Sequence, residues 1–201
     1  MRNSNYLKFV LALQYFLYSV CVLPIYLAIS SSQALKDLGG IALNLLFITL
    51  LISPFIKIFP NLKLAHLLLN IRPQLGILMG VFGLSHGLGI LYHGSELKTA
   101  LSNMSFLEVW QNMPYIALGL LAAVILIPLL LTSNKYIKNK MGANWYKLHK
   151  LTYVVFALAI VHGTFIRSGE FSWSGLASAS PLLVTYFVVL SIAKYKTTRG
   201  E

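Results

Sequence analysis

The sequence predicts an all-α integral membrane protein, a bundle of six helices with both termini in the cytoplasm. Three observations carry the prediction. Hydrophobic residues make up 57% of the 201 residues and charged ones only 10%, whereas a soluble domain carries about 25% charge to cover its surface. The apolar residues come in blocks close to the length that crosses a bilayer, about 20 residues. Thirteen of the sixteen Lys and Arg residues fall in alternate gaps between those blocks, which orients the bundle.

The first block, Phe9 to Ile29, follows Arg2 and Lys8 as a signal peptide would. It exceeds the usual apolar length of about 7–15 residues and no small-x-small cleavage site follows, so a retained helix is expected. The second span runs from Ile41 to Phe59 and the third from Leu75 to Tyr92. Between them, Asn61 to Ile71 is apolar with a few polar residues and reads as a helix lying on the inner interface. The outer loop contains Ser105-Phe-Leu-Glu108, a capping-box pattern that should start a short helix. The fourth span is Tyr115 to Leu131. The fifth, Leu151 to Ile166, is short and is expected to draw on the basic segment before it. The sixth covers about Leu176 to Ala193, with Lys194 to Glu201 after it. Pro24, Pro54 and Pro128 lie inside spans, where proline is tolerated. No repeat, low-complexity tract or soluble domain divides the chain, so 1–201 is read as one transmembrane domain.

With the N-terminus inside, the inner segments hold Arg2, Lys8, Lys57, Lys63, Arg72, Lys135, Lys138, Lys140, Lys147, Lys150, Lys194, Lys196 and Arg199. The outer ones hold Lys36, Lys98 and Arg167, together with Asp37, Glu96, Glu108 and Glu170. The positive-inside rule then places both termini in the cytoplasm. The net charge of +11 is therefore membrane-flanking charge facing lipid headgroups. No aromatic and basic residues interleave on a soluble platform, which excludes nucleic acid as a partner. The single cysteine, Cys21, excludes an intramolecular disulfide, a CxxC pair or a cysteine cluster, so any metal chemistry rests on five histidines and five carboxylates.

An ionisable side chain inside a span is costly and marks a function by default. His86 lies fourteen residues after Arg72 and His162 twelve after Lys150, on spans that both run outward. At about 1.5 Å per residue they sit at matched depth, about 18–21 Å from the inner charges. Two neutral imidazoles at one level can fill both axial positions of a haem iron; they could equally be hydrogen-bonding groups in a polar core. Gly76, Gly80, Gly83 and Gly87 fall within about 60° of one face of the third span, with His86 about 80° to the flank. The groove suits a flat macrocycle or plain helix packing. His149 precedes His162 by thirteen residues, about 20 Å along the axis and about 140° around it, so the two cannot grip one haem together. His66 reads as interfacial and His93 as a surface residue.

Four stretches carry a family resemblance: Ile48 to Pro54; Arg72-Pro-Gln-Leu-Gly-Ile77 with Ser85-His86; Pro114-Tyr-Ile-Ala-Leu-Gly119; and Thr132-Ser133 through Met141-Gly142, Trp145, Leu148-His149 and Tyr153 to His162. On these the chain resembles the ferric-reductase-like transmembrane domain superfamily, and within it the MsrQ family. It departs from the family pattern at Arg72-Pro73, where paired basic residues are usual, at Asp37-Leu-Gly-Gly40, where Phe-Thr-Gly is usual, and at Ser85.

The resemblance implies a haem b electron conduit in a bacterial inner membrane, with His86, His162 and His149 as iron-ligand positions and one or two haems. Arg72 and Trp145, beside the glycine groove, would line the haem edge. The resemblance also implies an FMN, a cytoplasmic flavin reductase or quinol as donor, and a periplasmic molybdopterin methionine sulfoxide reductase as acceptor. Larger relatives carry two histidines on the third helix; here the position thirteen before His86 is Pro73, so a four-histidine set is not expected. Oxidases and ferric reductases of the superfamily carry a fused flavin domain after the last helix. With eight residues after the sixth span, a separate donor is expected, docking on the basic segment Lys135 to Lys150. The rival readings are a standalone ferric or cupric reductase, a small non-haem proton transporter and a purely structural subunit.

Overall fold

A computed structural model of the chain describes residues 4–168 and 173–199, with side chains at 5–166 and 181–198. Arg2 and Glu170, used above for orientation, lie outside the described residues, as do the side chains of Arg167 and Arg199. In chain order the helices are α1 (Ser4–Val20), α2 (Val22–Ser30), α3 (Ala34–Ile58), α4 (Lys63–His93), α5 (Ser95–Asn103), α6 (Phe106–Asn112), α7 (Pro114–Leu131), α8 (Lys135–Met141), α9 (Ala143–His149), α10 (Leu151–Ser168) and α11 (Trp173–Arg199). No strand occurs among the described residues.

Five segments among them are long and apolar enough to cross a membrane: Asn5–Ser30, Ala34–Ile58, Lys63–His93, Pro114–Leu131 and Ala143–Ile166. The sixth expected span falls within α11, whose side chains are described from Pro181 onward. Outward-facing Phe16, Val124, Leu131 and Phe187 are each at least 60% exposed, an apolar surface that a water-soluble fold does not sustain. The chain is a multi-pass membrane protein.

The first span is broken at Cys21. Pro24 has no N–H to give the Val20 carbonyl and its ring crowds that oxygen, so the helix restarts there as α2. Two expected boundaries move. α3 begins at Ala34 rather than Ile41, because Leu35 and Leu38 bury against Ala28, Leu78 and Phe82 although Lys36 and Asp37 lower the local hydropathy. The segment expected to lie on the inner interface is instead the first turns of α4, which runs unbroken through Pro73. Asn70 of this segment and Gln74 just beyond it bond to α1: Gln14 Nε2 donates to the Asn70 carbonyl (2.9 Å), Asn70 Nδ2 to Tyr6 Oη (3.2 Å) and Gln74 Nε2 to Tyr18 Oη (3.4 Å). These bonds hold the segment upright against α1.

The short helices have local causes. Ser105 and Glu108 close the expected capping box, with Ser105 N–H donating to Glu108 Oε2 at 2.6 Å and Glu108 N–H to Ser105 Oγ at 3.4 Å. Asn134 caps α8 by accepting from Ile137 N–H at 2.8 Å. Gly142 separates α8 from α9 at φ +54°, a conformation that favours glycine.

The main core gathers Leu46 and Leu50 of α3, Met79 of α4, Leu126 and Leu129 of α7, Val155, Phe156 and Ile160 of α10, and Tyr186 of α11. The most extensive pairings are α3 with α4 and α7 with α10, while α1 and α2 pack on the outside of α4. Each of the two dominant pairs carries one histidine toward the other.

Candidate functional site

His86 projects from α4 and His162 from α10, and the bundle brings their rings together with centroids 6.2 Å apart and planes at 80°. Each is half-buried and each is held the same way. His86 Nδ1 lies 2.7 Å from the Leu35 carbonyl on α3, and His162 Nδ1 lies 2.7 Å from the Tyr115 carbonyl on α7. A carbonyl oxygen only accepts, so each Nδ1 carries the proton and donates it. Each Nε2 is thereby left with a lone pair.

Two imidazoles on neighbouring helices, each with Nδ1 spent on a carbonyl and an Nε2 lone pair left over, are a donor set that would suit a metal. A metal–imidazole bond of about 2 Å, plus about 1 Å from nitrogen to ring centre on each side, spans about 6 Å between centroids. The observed separation matches that span. Among the described residues no group of three or more His, Cys, Asp or Glu could hold a metal ion. Two imidazole nitrogens would suit a metal whose remaining ligands come with it.

The glycine face of α4 divides. Gly80 and Gly83 pack on α7, where an added Cβ would come within 3.0 Å of Leu130 and Leu126. At Gly76 and Gly87 an added Cβ would meet nothing within 4 Å. Two other glycines touch the histidine rings: a Cβ at Gly39 would lie 3.1 Å from His86 Cε1, and one at Gly119 3.1 Å from His162 Cε1. Sequence reasoning did not single out Gly39, Gly119 or the two carbonyls. A main-chain acceptor leaves no residue-type signature, and Gly119 stood only as part of a family stretch.

His149 stands apart from the pair, at the junction of α9 and α10. Its ring stacks on Trp145 (centroids 3.8 Å, 23°), and its Nε2 lies 3.1 Å from Thr132 Oγ1. The Thr132 hydroxyl donates to the Pro128 carbonyl at 2.7 Å, so His149 Nε2 is the donor to Thr132 and Nδ1 is bare. Trp145 Nε1 donates to the Thr132 carbonyl at 2.8 Å, and Lys138 Nζ lies 4.7 Å above the Trp145 ring. Arg72 and Lys138 are the charges that act on His149, and Arg72 Nε donates to the Thr49 carbonyl at 3.2 Å. The structure thus joins Trp145, Thr132 and His149 into a second cluster, with Lys138 over the Trp145 ring. His66 bonds the Pro60 carbonyl at the start of α4 (2.6 Å), and His93, exposed as expected, bonds the Ala28 and Ile29 carbonyls at the end of α2 (3.1 Å each).

Comparison with known proteins gives a consistent picture. The family described as "Ferric reductase like transmembrane component" matches residues 38–160. The chain is 36% identical over 183 residues to the "Protein-methionine-sulfoxide reductase heme-binding subunit MsrQ" of Yersinia pseudotuberculosis serotype O:1b (strain IP 31758), covering 87% of this chain and 82% of that protein. To the protein of the same description from Yersinia pestis (strain Pestoides F) it is 36% identical, covering 87% and 81%. No solved structure matches at a significant level.

Proposed function

The chain belongs to the ferric reductase like transmembrane family and to the MsrQ heme-binding subunits within it, and from that premise we propose that it holds haem b between His86 and His162 and relays electrons across a bacterial inner membrane. The observation that carries the reading is the ring pair at 6.2 Å, contributed by two helix pairs, with both Nδ1 atoms tied to carbonyls. When bound, the haem supplies a one-electron redox centre. The chain does the rest. Leu35 and Tyr115 hold the imidazole tautomers. The open space beside Gly76 and Gly87 admits the edge of a planar group.

The distribution of basic residues supports six spans with both termini inside. It also makes the α8–α9 segment, with Lys135, Lys138, Lys140 and Lys147, the cytoplasmic docking face for an acidic flavin reductase; quinol is the alternative donor. The Trp145, Thr132 and His149 cluster lies at that end and is the place for a second redox group, a further haem on His149 or an FMN. The relatives' description names a protein-methionine-sulfoxide reductase, and the acceptor proposed on the outer side is such a reductase, periplasmic and of the molybdopterin class.

The test is a reduced-minus-oxidised visible spectrum of the purified chain, with its haem-to-protein ratio. Low-spin haem b at one or two per chain is expected. A colourless preparation after haem-supplemented expression would falsify the reading.

A further inference from the structure

The two half-sites share more than their chemistry. Leu35 is the second residue of α3 and Tyr115 the second of α7. Four residues on, at the sixth position of each helix, stand Gly39 and Gly119, the two glycines whose missing Cβ leaves room for the histidine rings. The spacing has a physical reason. In an α-helix the carbonyl of residue i already accepts from the N–H of residue i+4. A side chain from a neighbouring helix reaches that same oxygen only by lying against the backbone of i+4. A Cβ at Gly39 would stand 3.1–3.3 Å from three atoms of the His86 ring, and one at Gly119 3.1 and 3.3 Å from Cε1 and Nδ1 of His162. Those distances push a ring aside by tenths of an ångström, enough to loosen a bond of 2.7 Å.

Both acceptors are themselves pinned. The Leu35 side chain packs onto α4 at Gly89, and Tyr115 Oη donates to Glu96 Oε2 of α5 at 2.7 Å.

We infer that Gly39 and Gly119 are a matched pair of positioning residues, each letting a first-turn carbonyl hold one histidine and thereby setting the basicity of both ligands. The inference rests on the haem reading above and adds residues on neither histidine helix. An imidazole whose Nδ1–H is shared with a carbonyl is the more basic ligand. It favours ferric over ferrous iron, so the cradles hold the potential down, and loosening one raises it.

The experiment compares the full haem-loaded chain with Gly39→Ala, Gly119→Ala and Gly40→Ala by redox titration and EPR. Gly40 is the control, because a Cβ there meets nothing within 4 Å. Gly39→Ala and Gly119→Ala should keep the parent haem-to-protein ratio while the midpoint potential moves upward and the low-spin g-values shift. Gly40→Ala should overlay the parent. Both cradle variants titrating at the parent potential, or Gly40→Ala shifting as far as they do, overturns the inference. If an alanine variant does not assemble, proton ENDOR on the parent decides. Two strongly hydrogen-bonded Nδ1 protons are expected, and a weakly bonded one on either ligand sinks the proposal. A parent chain without haem would instead remove the functional reading, so the two failures are distinguishable.

Discussion

A ring nitrogen that already holds a proton has no lone pair for iron, so the partner of each imidazole decides what that histidine offers. His86 and His162 spend Nδ1 on carbonyls and keep Nε2 free, whereas His149 spends Nε2 on Thr132. His86→Ala and His162→Ala should each abolish the low-spin signal of the paired site, while His149→Ala leaves it in place; difference spectra of the three variants check this. The matched depth of the pair was legible in the sequence, since rise per residue from Arg72 and Lys150 fixes it. The tautomers were not, because they depend on backbone oxygens 51 and 47 residues away. At the outer loop, the Ser105 N–H and hydroxyl hold the Glu108 carboxyl below the usual range. A depressed carboxyl contributes stability above its unfolded pKa and loses it as pH falls through the folded one. Protection of the α6 amides, relative to their intrinsic exchange at each pH, should therefore fall on acidification below about pH 4, and Ser105→Ala should weaken the cap by roughly 1 kcal/mol at neutral pH. Unchanged protection in both cases would count against the box.

At some glycines of this chain a neighbouring helix sits where a Cβ would stand. At Gly89 an added Cβ would meet the Leu35 side chain and come within 3.0 Å of the Ala28 carbonyl, and a backbone oxygen does not step aside as a side chain does. Gly89→Val should separate α2 from α4 and cost about 1–3 kcal/mol, read as a lower melting temperature in detergent. A melting curve that superimposes on the parent would refute that packing role. At this scale hydropathy located the apolar blocks but misjudged two ends. Averaging over Lys36 and Asp37 hid the first turns of α3, although Leu38 is buried there. Asn70 helped make the start of α4 look interfacial because its partners on α1, Gln14 and Tyr6, are distant in sequence. The capping box was legible since both of its members lie within four residues.

The bundle as a whole separates a basic end from an acid-bearing one, and that asymmetry is testable without any cofactor. In a Cys21→Ser background, a cysteine at Lys138 should react with an impermeant maleimide only from the cytoplasmic side, and one at Lys98 only from the other. The reverse pattern would invert the proposed direction of electron flow. Reduction by an acidic protein donor should slow as salt rises past about 0.1 M, where the Debye length falls to about 10 Å, and charge reversal at Lys135, Lys138 and Lys140 should slow it further. Division of the ligands between α3–α4 and α7–α10 also bears on how the protein is made. Chains emerge N-terminus first, so the first helix pair is complete well before His162 leaves the ribosome. A haem held at both ends, as proposed, would be captured only near the end of synthesis, which would make a loaded bundle a signature of finished chains.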